Sequence, residues 1–124
     1  MNIICKTIHH SEQRYPTVGD WYWEGDVLHI RVSKMSDWRY VFLVTAHELV
    51  EVALCKFNGV SQEKVDAFDF DFEAKREEGN ADEPGDSPDA PYRLEHCIAT
   101  GIERILAGFL GVVWSEYENE INSL

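Results

Sequence analysis

Between Val41 and Cys55 the chain is almost entirely apolar except at His47-Glu48-Leu49-Val50-Glu51, where three ionisable side chains interrupt a stretch that otherwise reads as core. Burying a charge without a partner costs several kcal/mol, so residues in such a place usually have an ion pair, a metal or a catalytic task. Their spacing suits a shared one. On a helix His47 and Glu51 are one turn apart and project from the same face, with Glu48 about 100° round from His47 and about 60° from Glu51, so all three border one cavity.

With 124 residues, 44% of them hydrophobic, the chain has the material for one domain with a real core and too little for two. The longest apolar run falls short of the roughly 20 residues that a membrane span needs, and Met1-Asn2-Ile3-Ile4-Cys5-Lys6 lacks the apolar core of a signal peptide. A cytoplasmic protein is expected, with no membrane partner. Cys5, Cys55 and Cys97 are odd in number and widely spaced, which predicts reduced, mostly buried thiols. The net charge of −12 argues against direct nucleic-acid binding, which needs clustered Lys and Arg. Most of that charge is local: between Ser61 and Asp89 there are eleven acidic and three basic residues, net −8. This segment is either a solvated acidic face or a surface for a basic partner.

Along the chain, residues 2–9 read as a first strand. Asp20-Trp21-Tyr22-Trp23 and Val27–Val32 flank Glu24-Gly25-Asp26, a tight hairpin, and Leu28, Ile30 and Val32 alternate with His29, Arg31 and Ser33. An antiparallel sheet is expected over residues 1–35, with a helical region over 36–124. Ser36 or Asp37 caps a helix that runs to Phe57 and stops at Asn58-Gly59. Ser61 caps a second helix to about Glu77, with Val65, Phe68 and Phe72 on one stripe. Gly79–Pro88 turns to Gly, Pro, Asp and Glu, an irregular loop able to gate a cleft. Asp89 caps a third helix, with Pro91 in its first turn, which continues to about Leu110. Residues 113–117 form a short closing helix. The fold class is therefore α+β, a hairpin plus one strand packed on about three helices.

The third helix carries a second constellation, Glu95-His96-Cys97, in a segment with an apolar stripe through Leu94, Ile98, Ile105 and Phe109. If it packs beside the motif helix, His96 completes a metal site with His47 and Glu51, leaving a fourth position for water as catalytic zinc sites do. Glu48 is then the general base beside that water, whose pKa the metal lowers. Glu95 and Glu103 are the alternative third ligands. Ion pairing of Glu51 with Arg93 or Arg104 is the plainer account of that charge, and Cys55, one turn beyond Glu51, is expected to be a buried structural thiol.

His47-Glu48-Leu49-Val50-Glu51 resembles the His-Glu-x-x-His signature of zincin-type metallopeptidases, with Glu51 where the second histidine normally stands. That resemblance implies zinc, a minimal zincin-like domain and hydrolysis of a peptide or protein substrate. Separately, HELVEVALCKFNGV, VDAFDFDFE, EPGDSPDAPYRLEH and ATGIERILAGFLGVVW are similar to a family of small uncharacterised proteins of tailed bacteriophages and prophages. This second resemblance covers about residues 38–118 and implies a free-standing phage-encoded domain in the host cytoplasm, with no activity attached. Two other functions fit the residues: a non-enzymatic acidic accessory protein that binds a host or phage protein, and a nucleotide pyrophosphohydrolase with Glu48 and Glu51 as magnesium ligands.

Overall fold

In the computed structural model, which describes residues 1–124, an N-terminal three-stranded sheet packs with four helices. The strands are β1 (Asn2–Ile8), β2 (Gly19–Glu24) and β3 (Val27–Ser33). β2 and β3 form the expected hairpin, turned by Gly25 at φ 59°, a left-handed conformation that a residue without Cβ adopts freely. Trp21 stands opposite Ile30 and Trp23 opposite Leu28. Strand alternation therefore puts the tryptophans on the face of Leu28, Ile30 and Val32, and Trp21 is buried with them.

The sheet is mixed, which corrects the antiparallel expectation. β1 runs parallel to β3, with Asn2 opposite Val27 and Ile8 opposite Ser33, giving the order β1-β3-β2. Strand direction depends on where the connecting loop takes the chain, and residues 9–18 cross over the Ser33 end of β3, so that β2 starts beside the end of β1 on the other side of β3. The crossing is pinned by Ser33 N–H to the Val18 carbonyl at 2.8 Å and Lys34 N–H to the Ile8 carbonyl at 2.7 Å. β1 is left as an exposed edge strand.

The helices are α1 (Trp38–Asn58), α2 (Gln62–Ala74), α3 (Arg93–Phe109) and α4 (Trp114–Asn122), the last being the expected short closing helix, five residues longer at its C-terminal end. Local chemistry sets several of their ends. The Asp37 side chain accepts from Arg39 N–H at 2.9 Å, Gly59 closes α1 at φ 73°, and Ser61 Oγ accepts from Lys64 N–H at 3.3 Å. α2 ends three residues before Glu77. α3 begins at Arg93 and not after Asp89, because the preceding turn is held by Tyr92, whose hydroxyl donates to Asp69 at 2.6 Å. The loop from Gly79 to Pro88 is irregular apart from a 3-10 turn at Pro84–Asp86, and Gly85 within it is buried. Of the three free cysteines only Cys55 is buried; Cys5 and Cys97 are exposed, contrary to the expectation of mostly buried thiols. No helix is long and apolar enough to cross a membrane.

α1 is the spine. Leu43, Val44, Val52 and Cys55 join Trp21, Leu28, Ile30 and Val32 in the core, and α3 packs antiparallel along another side of the helix. Arg39 Nη1 donates to the Leu110 carbonyl at 3.0 Å at one end, and Asn58 Nδ2 donates to Glu95 at 3.2 Å at the other. An amphipathic helix ordinarily turns its apolar stripe inward. α3 does the reverse: it buries Glu95, His96, Ala99, Glu103 and Ala107 and exposes Leu94, Ile98, Ile105 and Phe109. That inversion brings ionisable side chains of both helices into one interface.

Candidate metal centre

His47, Glu51 and His96 converge between α1 and α3, all three buried. His47 Nε2 lies 3.1 Å from Glu51 Oε2 and 3.2 Å from His96 Nδ1, and His96 Nδ1 lies 3.0 Å from the same Glu51 oxygen. Three bonds of about 2.1 Å to one ion would set their ligand atoms about 3.4 Å apart at tetrahedral angles and about 3.0 Å apart at right angles. The triangle has the size of a first coordination shell. The same distances also let both ring N–H groups donate to Glu51 Oε2, so the cluster can exchange two protons for one ion.

Each ligand atom has an outer partner that aims it. His47 Nδ1 donates to Glu103 Oε1 at 2.7 Å, which leaves Nε2 for the triangle, and Glu103 Oε2 accepts from the Tyr117 hydroxyl at 2.7 Å. Glu51 Oε1 accepts from the Trp21 indole N–H at 2.9 Å, which leaves Oε2 for the triangle. His96 Nε2 faces outward, 3.1 Å from Glu83 and 3.2 Å from Asp86, both in the loop before α3. Glu83, Asp86 and His96 are themselves close enough to form a second group of possible ligands. Because His96 Nδ1 already belongs to the buried triangle, the two loop carboxylates, at ion-pair distance from Nε2, serve more simply as its charge partners. Metal-binding histidines usually have such a carboxylate or carbonyl on the far nitrogen, which fixes the tautomer and raises basicity.

The electrostatics follow from this crowding. Burial pushes the His47 imidazolium down, but Glu103 and Glu51 outweigh it and hold its pKa at about 11. His96 is treated the same way by burial, then by Glu51 and Glu83, and stands at about 10. Burial raises the Glu51 carboxyl while its two histidines pull it down to about 2. Glu48 is left with the opposite balance: burial and the neighbouring Glu51 charge raise it well above the usual carboxylate range. Its carboxyl stands outside the triangle and lines a cavity of about 330 Å³ that also reaches His47, Glu51 and His96.

That cavity is bounded by Gly19, Asp20 and Trp21 of β2 on one side and by residues 80–85 of the loop on another. Two glycines make the enclosure possible. A Cβ on Gly85 would stand 2.4 Å from His96 Cγ, and one on Gly19 would stand 2.7 Å from Glu48 Oε1. Deeper in the wall, Asp69 accepts from the Tyr15 hydroxyl at 2.9 Å as well as from Tyr92, and burial raises its pKa to about 7 despite those bonds.

The structure thus brings together His47, Glu51 and His96, with Glu48 beside them. It separates the alternatives: Glu103 is an outer partner of His47, and Glu95 accepts from Asn58 at the far end of the helix pair. Arg93 and Arg104 are exposed, with the Arg104 guanidinium stacked 4.3 Å from the Trp114 ring, so the charge partners of Glu51 are the two histidines. Cys55 is buried, and burial with the Glu51 charge pushes its thiol up to about 12, so it stays protonated. Sequence reasoning missed Trp21, Tyr117, Glu83, Asp86, Gly19 and Gly85. Strand alternation alone could have aimed Trp21 inward; the two loop acids carry no periodic signal. Compared with models of known protein families, with curated proteins and with solved structures, the chain matches none.

Proposed function

We propose that the protein is a metalloprotein in which His47 Nε2, Glu51 Oε2 and His96 Nδ1 hold a zinc ion, and that Glu48 acts beside it as general base in the hydrolysis of a peptide or related bond. The observation that carries this reading is the buried triangle with edges of 3.0–3.2 Å, each corner aimed by its own outer partner. Two imidazole nitrogens and one carboxylate oxygen with a side open to a cavity is the donor set of catalytic zinc sites. Magnesium takes an all-oxygen shell, and Glu51 is already committed to two histidines, which weakens the pyrophosphohydrolase alternative. Bound zinc lowers the pKa of its water towards neutrality. Next to that charge the Glu48 carboxyl ionises and can accept the water's proton.

The accessory-protein alternative loses part of its basis, because many acids of the 61–89 segment are paired within the chain. Asp66 binds Arg14, Asp71 binds Lys75, Glu73 binds Arg76, and Glu83 and Asp86 face His96. The test is metal analysis of protein purified without a histidine tag, followed by turnover on a peptide library for wild type and Glu48→Gln. The expected result is about one zinc per chain in both proteins and hydrolysis reduced by about two to four orders of magnitude in the variant. Metal lost from the Glu48 variant would make that residue a ligand, and loaded wild type without turnover on any peptide would leave a structural metal.

A further inference from the structure

The outward face of α3 is the least explained surface of the molecule. Leu94, Ile98, Ile102, Ile105 and Phe109 follow one another at helical spacing, and all are exposed, Leu94 and Ile105 at 63% and Phe109 at 89%. Gly101, Cys97 and Gly108 lie between them. None of these residues is charged, on a chain whose net charge is −12. α1 continues the apolar character where its N-terminal end meets the C-terminal end of α3, with Trp38 69% and Phe42 48% exposed. Solvent is a poor neighbour for so much contiguous apolar surface.

We infer that this face is the interface of a two-fold homodimer, formed by α3 packing antiparallel on α3 of a second copy. Three observations select a second copy as the occupant. The first is self-complementarity. A two-fold axis between Gly101 and Ile102 sets Leu94 against Phe109 of the partner, Ile98 against Ile105, and Ile102 over Gly101, so every large side chain meets an apolar residue. No Cβ contact limits approach at Gly101, where a substituent would find nothing within 4 Å. The second is area. At about 200 Å² for each large apolar side chain, scaled by exposure, the five α3 residues offer about 600 Å² per protomer, the low end of what each partner contributes to a specific interface. The third is charge: two copies repel across most of their surfaces, and this is a face where they meet without opposing carboxylates.

The dimer also places the candidate metal centre. His96 and Glu103 occupy the inner side of the same helix, so α3 is held between α1 and its own copy. This inference does not depend on metal or on catalysis.

Sedimentation analysis of the full chain across micromolar concentrations tests it. Wild type should sediment at twice the 14.3 kDa chain mass. Ile98→Glu combined with Ile105→Glu should sediment as a monomer with unchanged helical circular dichroism, since both positions are exposed in the single chain. A second variant fixes the geometry: Ile102→Cys, with Cys5 and Cys97 replaced by Ser, should cross-link to its copy on mild oxidation, because position 102 lies beside the axis. A monomeric wild type, a dimer that survives the double glutamate variant, or a cysteine variant that stays un-cross-linked would each overturn the proposal. So would a monomer that floats with phosphatidylcholine vesicles, which would assign the face to lipid.

Discussion

Glu103→Gln separates a metal centre from a simple ion-pair cluster, because it removes a charge and little else. The amide keeps the volume, its oxygen can still accept from His47 Nδ1, and its NH₂ can donate to the Tyr117 oxygen where the carboxylate now accepts at 2.7 Å. What changes is the strength of the bond that orients His47. A hydrogen bond to a charged group contributes about 1.5–3 kcal/mol and a neutral one about 0.5–1.5 kcal/mol, so the exchange weakens it by about 1–1.5 kcal/mol. That corresponds to about tenfold in zinc affinity, at the low end of the 10–100-fold typical of such outer partners. With free zinc at about a hundred times the wild-type Kd, metal stabilises the wild type by about 2.7 kcal/mol and the variant by about 1.4 kcal/mol. For a chain of this length the metal-induced rise in Tm should shrink by about 5 °C. The assays are competition with a chromophoric chelator and thermal melts with and without zinc. Wild-type affinity in the variant would refute the orienting role, and a loss beyond about a thousandfold would make Glu103 itself a ligand.

Two further substitutions probe the enclosure of the site. Gly85→Ala places a methyl group 2.4 Å from His96 Cγ, so His96 or the loop must move; the expected cost is about 1–3 kcal/mol in urea denaturation, with weaker zinc binding, and an unchanged variant would show that the loop does not press on His96. Asp69 keeps its proton in the folded chain up to a pKa of about 7, whereas the unfolded carboxyl titrates near the ordinary value of about 3.9. The folded state therefore binds more protons between those values, and the Asp69 contribution to stability falls as pH rises through that window. Asp69→Asn stays neutral, so its stability relative to wild type should climb between pH 4 and pH 8, by about 4 kcal/mol at most; parallel denaturation profiles would sink this account.

What the sequence determined by itself is what short-range geometry governs. Asp37, Gly59 and Ser61 end their helices through bonds to residues within four positions, and Gly25 turns the hairpin by its own backbone freedom, so these were legible from residue type and spacing. The pairing of His47 with Glu51 was legible too, because one helical turn puts both on the same face whatever surrounds them. Long-range choices belonged to the tertiary structure. Whether His96, Glu95 or Glu103 would reach the pair depended on the rotation of α3 about its axis, and its apolar stripe pointed to the wrong side. A stripe reports which face prefers to leave water, and says nothing of whether the chain's own core or another surface will cover it. The direction of β1 was likewise open, since period-two alternation is the same in parallel and antiparallel strands and only the path of residues 9–18 distinguishes them. The outer partners Trp21, Tyr117, Glu83 and Asp86 reach the site from three other segments of the chain, and only packing brings such distant residues together.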